Sequence, residues 1–500
     1  MGLPVAKRGV ACGGGLTCLG FLTAVVVLRS AAAQPLEGGT VGSRLAYTAY
    51  PGEDEDGLYY RDSGGLKETA AAWMVGPQAV RPSIGEVANN RTARVSPVVK
   101  QWVSLVGYSP DLADPDPKLS AGELIKYEVQ GTGKCLDGSW PAYYMAYGTD
   151  PTKWLLFLEG GDWCNRFEAG ATEAEREKDD RRNCFERRND NGELGGSTDK
   201  EKESWSLDDL GEKYGYFSND KERNPLMHTW NKVYVRNCDG SSFTSSKTEP
   251  YYTDDDGDDD DDNNFVYLQG HFILESVMAD LLEQKYLGHA EEVVIGGCSA
   301  GGLAVMLHAD KIAGMIRKKA EDLSRWEVDS IKIRAWADSG FFVDNSCGDG
   351  DFNYNERMQL LFSHHNCEPG LNPACLAHFN STGEKYRCMF AENSLNFIQT
   401  PMFIAQSLLD GWGVHWIGCD RDDEFKELMK ERLSVALSTP RNGGFIDACN
   451  HHCHCHETLR INGLNQMEAF QNWYNGGETR IWFSEECKTE PNSECPTKKI

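Results

Sequence analysis

Basic residues are scarce in this 500-residue chain: 50 Lys and Arg stand against 77 Asp and Glu, a formal net charge of −27. A polyanionic partner needs a basic face, so this balance excludes nucleic-acid binding. Long apolar runs are scarce as well, and beyond the N-terminal stretch no segment is long enough to span a bilayer. Internal repeats are absent. The acidic excess is partly local, because Asp254, Asp255, Asp256 and Asp258 through Asp262 form one run broken only by Gly257. That run lacks the spaced ligands of a calcium loop, so it reads as a solvated insert near residues 253–264.

The chain nevertheless has material for a large core, since 40% of its residues are hydrophobic. Its start follows the secretory pattern, with Lys7 and Arg8, an apolar stretch from Leu16 to Leu28, and Ala31, Ala32 and Ala33. We expect a signal peptide over 1–33, the alternative being a retained anchor, and then a secreted protein with no stable membrane insertion. The 17 cysteines suit an oxidising compartment, and Asn90-Arg91-Thr92 and Asn380-Ser381-Thr382 have the form of glycosylation acceptors. Cys12 and Cys18 lie in the presumed signal, and Cys298, inside an apolar turn, is expected to be a poor bridge former; the remaining fourteen allow seven disulfides.

Residues 34–122 show no sustained periodicity and read as a leader. From Glu123 short apolar runs alternate with turns and amphipathic stretches, which predicts an α/β fold with a mostly parallel central sheet flanked by helices, over 123–486, before a tail at 487–500. The predicted strands are Trp154–Leu158, Lys232–Arg236, Glu292–Ile295, Ile331–Trp336 and Pro401–Ala405. His271–Gln284 and Leu303–Lys319 carry helical apolar stripes, and the hydrophilic stretch Glu173–Asp190 reads as a surface excursion.

The sharpest motif is Gly297-Cys298-Ser299-Ala300-Gly301, a Gly-x-Ser-x-Gly nucleophile elbow with a strand pattern before it and a helix pattern after it. The helix start behind Ser299 would aim amide hydrogens at a developing oxyanion. A serine needs a base, and the base an orienting acid, in the chain order Ser, Asp, His. Spacing leaves both open: Asp338, Asp344 and Asp410 are candidate acids, while His415, His451, His452, His454 and His456 are candidate bases. Gly160 and Gly161, after an apolar strand, would supply oxyanion-loop amides or form an ordinary turn.

Taken together, CLDGSWPAYYMAYG (from Cys135), WLLFLEGGDWC (from Trp154), WNKVYVRNCDGSSF (from Trp230), GGCSAGGLAVMLHAD (from Gly296), ADSGFFVD (from Ala337), PMFIAQSLLDGW (from Pro401) and FIDACNHHC (from Phe445) resemble the pectin acetylesterase and Notum carboxylesterase family. The likeness covers roughly Glu123 to Thr458. It implies an α/β-hydrolase fold and a serine ester hydrolase in which Ser299 is the nucleophile, Asp410 the acid and His452 the base, with His451 the fallback. The backbone amides of Gly161, Asp162 and Ala300 would form the oxyanion hole, and Trp163, Phe341, Phe342 and Trp412 are pocket candidates. It also implies the bridges Cys135–Cys238 and Cys164–Cys184.

Asp162 departs from the family pattern, and a carboxylate beside an oxyanion opposes its charge unless it is turned away. The extra ligand types His451, His454, Cys455 and His456 raise metal binding as an alternative, although no metal or organic cofactor is required. The elbow and acid loop look closer to the plant members, which implies deacetylation of a pectin-like or other acetylated polysaccharide. The alternatives are release of a fatty acyl group from a secreted protein, as in Notum, and an inactive relative that binds glycan or metal.

Overall fold

The computed structural model describes residues 122–487 apart from 168–170, 190–195, 200, 253–264, 326–327, 346–352, 419, 454–456 and 458. The expected signal peptide and leader, Asn90, the aspartate run, the tail after residue 487, and His454, Cys455 and His456 therefore lie outside the described residues.

Ten strands form one sheet: β1 (Glu123–Glu128), β2 (Ala142–Ala146), β3 (Asp150–Leu158), β4 (Ser204–Ser206), β5 (Trp230–Val235), and, after a two-stranded ribbon of β6 (Tyr251–Tyr252) and β7 (Phe265–Val266), β8 (Glu292–Cys298), β9 (Lys332–Asp338), β10 (Met402–Ser407), β11 (Gly443–Asp447) and β12 (Ile481–Phe483). Their spatial order is β12-β11-β10-β9-β8-β3-β5-β2-β1-β4. From β12 to β5 every neighbouring pair is parallel, and β2, β1 and β4 add antiparallel pairs at one edge. All five predicted strands belong to the parallel part.

Strand alternation divides the core into two layers. Trp154, Leu156 and Leu158 of β3, Val293 and Ile295 of β8, and Ile333, Ala335 and Ala337 of β9 face one cluster, shared with α3 (Gly270–Gln284) and α4 (Ala300–Asp322). Leu155, Phe157, Val294, Trp336 and Phe403 face the other, shared with α2 (Leu207–Lys213) and α10 (Gln466–Tyr474). A strand buried on both faces is apolar at most positions, which is why β3 and β8 read as near-continuous runs. Each fully buried Leu, Val or Phe contributes roughly 1.5–3 kcal/mol of transfer free energy. The remaining helices are α1 (Glu173–Asn189), α5 (Tyr354–His364), α6 (Pro373–Phe379), α7 (Ala391–Ser394), α8 (Gly411–Trp416) and α9 (Asp422–Ser438).

The hydrophilic stretch from Glu173 lies on the surface as an α-helix in which only Asp180 and Cys184 are buried, tied to the body by Cys164–Cys184 and by the contacts of Asp180 with His364 and His365. One expectation needs correction. Cys298 is bridged to Cys453, and among the described residues the free thiol is Cys367, buried where Thr244 Oγ1 approaches its sulfur at 3.2 Å. Cys135–Cys238 forms as the resemblance implied, and Cys375–Cys388 and Cys449–Cys487 are further bridges. Asn380 is exposed at the end of α6. No helix among the described residues is long and apolar enough to cross a membrane.

Candidate active site

The site is assembled at the carboxyl ends of β3, β8, β10 and β11. Ser299 occupies the turn between β8 and α4 with φ 58° and ψ −129°, a backbone conformation that costs a non-glycine residue about 1–3 kcal/mol and is held only by its surroundings. The neighbouring glycines make room for it. A β-carbon on Gly297 would lie 2.3 Å from Gly301 O, and one on Gly301 would lie 2.1 Å from Leu158 O. The Ser299 amide donates to Asp338 O at 2.9 Å, which fastens the elbow to the next strand.

Asp410 is the N-cap of α8; its Oδ1 accepts the Gly413 amide at 2.8 Å, so the carboxylate is fixed by the helix it starts. His452 lies just beyond β11 with its ring between the two other groups. Nδ1 is 2.8 Å from Asp410 Oδ2 and 3.0 Å from Oδ1, and Nε2 is 2.8 Å from Ser299 Oγ. With Nδ1–H donating to the carboxylate, Nε2 is left as the acceptor of the serine hydroxyl proton. The bridge Cys298–Cys453 joins the residue before the serine to the residue after the histidine. Remote pairing across 155 positions leaves no local signal, so the sequence reading missed it.

The other candidates are placed elsewhere. Asp344 is held by Asn355 and Glu392, and His415, in the exposed last turn of α8, pairs with Asp420 at 3.0 Å. Asp338 is buried at the end of β9, where burial raises its carboxyl to about 6 against the pull of His451 and His452. His451 points to Asp447, 3.1 Å from both carboxylate oxygens. The Asp447 pairing was also missed, because nothing in FIDACNHHC distinguishes it from a strand-end aspartate.

The amides of Gly161 and Asp162 make no hydrogen bond among the described residues, and Ala300 opens α4, where an amide has no acceptor within its own helix. Gly160 must be glycine here, because a β-carbon would lie 2.5 Å from Cys298 O and 3.0 Å from the Ser299 β-carbon. Asp162 adopts φ 60°; its carboxylate accepts the Trp163 amide at 2.8 Å and pairs with Arg166 at 3.3 Å. Its charge is thus engaged by its own loop. Trp163, Phe342 and Trp412 pack edge to face, with ring centres 5.0–5.7 Å apart, and Tyr354, not foreseen from sequence, joins them. Phe342 and Trp412 also flank the His452 ring at 6.3 and 6.4 Å. Phe341 is buried beside them, its amide donating to Gln406 Oε1, and among the described residues no ring contact joins it to this group.

Two groups of metal-ligand types converge among the described residues, Cys164, Cys184 and His365, and Cys298, Asp338 and Cys453. In both, the sulfur atoms are consumed by disulfides and are not thiolate donors.

Comparison with known proteins identifies the family and the fold. The Pectinacetylesterase family model matches residues 117–496. Pectin acetylesterase 7 of Arabidopsis thaliana is 25% identical over 346 residues, covering 64% of this chain and 76% of that protein. Palmitoleoyl-protein carboxylesterase NOTUM of Schmidtea mediterranea is 28% identical over 304 residues, and the match covers 58% of this chain but only 48% of that relative. The crystal structure of the Wnt deacylase Notum from Drosophila superposes with a TM-score of 0.56 at 21% identity, covering 73% of this chain and 97% of that one, and so shares the α/β-hydrolase-like fold. With a nucleophile-elbow turn on a mostly parallel sheet and a family match over most of its length, the chain belongs to the pectinacetylesterase family of carboxylic ester hydrolases.

Proposed function

We propose that this chain is a secreted serine esterase that removes acetyl groups from an acetylated polysaccharide through a Ser299–His452–Asp410 triad. The observation that carries the reading is the unbroken hydrogen-bond chain from Ser299 Oγ through the His452 ring to the Asp410 carboxylate, with both links at 2.8 Å. Ser299 Oγ attacks the ester carbonyl while His452 takes its proton. The amides of Gly161, Asp162 and Ala300 hold the tetrahedral oxyanion, and the histidine returns the proton to the leaving alcohol. Water, activated by the same ring, then cleaves the acyl-serine and releases the acid.

A short acyl group is supported by the ring cluster beside His452, in which Trp163, Phe342, Tyr354 and Trp412 are buried and in mutual contact. The net charge of −27 disfavours encounter with a strongly acidic polymer, so acetylated glycans of low charge are the better substrates. Export is supported by the disulfides and the signal-like start. The Notum-type reading, release of a fatty acyl group from a secreted protein, is favoured by the 28% identity to palmitoleoyl-protein carboxylesterase NOTUM of Schmidtea mediterranea.

Hydrolysis of p-nitrophenyl acetate and p-nitrophenyl octanoate by the protein and by Ser299→Ala separates these readings. Acetate cleavage that Ser299→Ala loses is the expected result. A strong octanoate preference would replace the acetyl reading with the lipid-ester one, and a folded protein inactive on both would favour a binding relative.

A further inference from the structure

Three buried carboxylates stand side by side at the carboxyl ends of three adjacent parallel strands: Asp338 ends β9, Asp410 follows β10 by three residues, and Asp447 ends β11. The register places Ala405 beside Asp338 and Ser407 beside Asp447, so the cluster is built into the sheet. Like charges at such separations in a poorly solvated place oppose one another's ionisation. Asp410 has to stay ionised to hold the Nδ1–H of His452.

His451 lies among them. Its Nε2 is 3.1 Å from both Asp447 oxygens, its backbone pairs with Asp410, and its carbonyl accepts the Gly411 amide at 3.0 Å. Asp447 is anchored in turn, accepting the Cys449 amide at 2.8 Å on Oδ1 and the Leu408 amide on its carbonyl at 2.7 Å. The charged groups facing His451 are Asp447 from β11, Asp410 from the loop after β10 and Asp338 from β9. Their attraction outweighs burial and raises the His451 imidazole to about 9. Asp338 in turn faces His452 and Asp410.

Resting on the esterase reading, we propose that His451, clamped by Asp447, is a positioning residue whose imidazolium neutralises the carboxylate cluster, keeps Asp410 the anion and sets the proton affinity of His452. The ring itself does not reach the serine; it acts through Asp410 and His452. Two isosteric changes have opposite signs. His451→Gln removes a cation, so His452 binds its proton more tightly. Asp338→Asn removes a carboxylate that is an anion above about pH 6, so in that range His452 binds its proton less tightly. A unit charge at this range in a partly buried site is worth about one pH unit.

The test is the pH profile of kcat/KM for p-nitrophenyl acetate from pH 5 to 9, paired with NMR titration of the His452 ring in the same proteins. We expect the acid limb and the ring titration to move up by about one unit in His451→Gln and down in Asp338→Asn, with KM on the plateau little changed. A lowered melting temperature in either folded variant, with limb and titration unmoved, would show a structural role and overturn the inference. Should His451→Gln fail to fold, a downward shift in Asp338→Asn still supports the charge balance and an unmoved one refutes it. Inactivity of the wild-type protein would count against the esterase reading alone, since the NMR titration reads the His452 shift without turnover.

Discussion

The serine hydroxyl of Ser299 is an ordinary alcohol made reactive by its neighbours, so its contacts carry the quantitative expectations. Asp410→Asn keeps the shape of the acid but withdraws its charge and turns an amide toward Nδ1, which favours the wrong tautomer of His452. We predict a fall in kcat for p-nitrophenyl acetate on the order of ten-thousand-fold with KM nearly unchanged. Asp162 is expected to matter little in spite of its charge, because the donor it offers is its amide and its carboxylate is already engaged by Trp163 and Arg166. Asn tolerates the left-handed conformation at this position, and Asp162→Asn should hold kcat within about threefold, well short of the loss from removing an oxyanion donor. Residue spacing alone left the acid and the base open. The family resemblance selected Asp410 and His452, and the hydrogen bonds run through those two side chains.

At the scale of elements, two loops 155 residues apart in sequence must stay in register, and the bridge Cys298–Cys453 connects them directly. Replacing both cysteines by serine is predicted to cost about 2–5 kcal/mol in a denaturant unfolding experiment and to lower kcat as well, because the links flank both Ser299 and His452. A variant that loses stability at full kcat would assign the bridge to the fold alone. This bridge was illegible because an apolar, glycine-rich turn reads as a place where a cysteine is merely packed. β11 was illegible for a related reason: Gly443 and Gly444 look like a turn, yet a β-carbon on Gly443 would lie 2.5 Å from Trp473. The strand is glycine there because α10 packs directly on its backbone. The helical character of α1 is illegible in the sequence because only Asp180 and Cys184 of its 17 residues are buried, and neither gives an apolar stripe. The five central strands were legible because burial on both faces leaves a mostly apolar record, interrupted by Lys232 and Arg236 in one strand and Lys332 and Arg334 in another.

For the whole molecule, the buried charge cluster ties stability to pH. The folded-state affinity of His451 for its proton is raised from an ordinary 6.5 to about 9, so its contribution is fully present below pH 6.5 and is lost as pH rises through 9. The Asp338 carboxyl is raised from 3.8 to about 6, so it favours the folded state below 3.8 and that preference is lost by 6. The stability of the wild-type protein relative to His451→Gln, followed by melting temperature, is therefore predicted to decline between pH 6.5 and 9; a constant difference would refute the ion pair. The relation between fold and reaction is most directly examined by labelling the intact protein with a fluorophosphonate and mapping the adduct by peptide mass spectrometry. The geometry predicts a single adduct on Ser299 that disappears in His452→Ala. Labelling at another residue, or undiminished labelling of Ser299 in the folded His452→Ala protein, would contradict it.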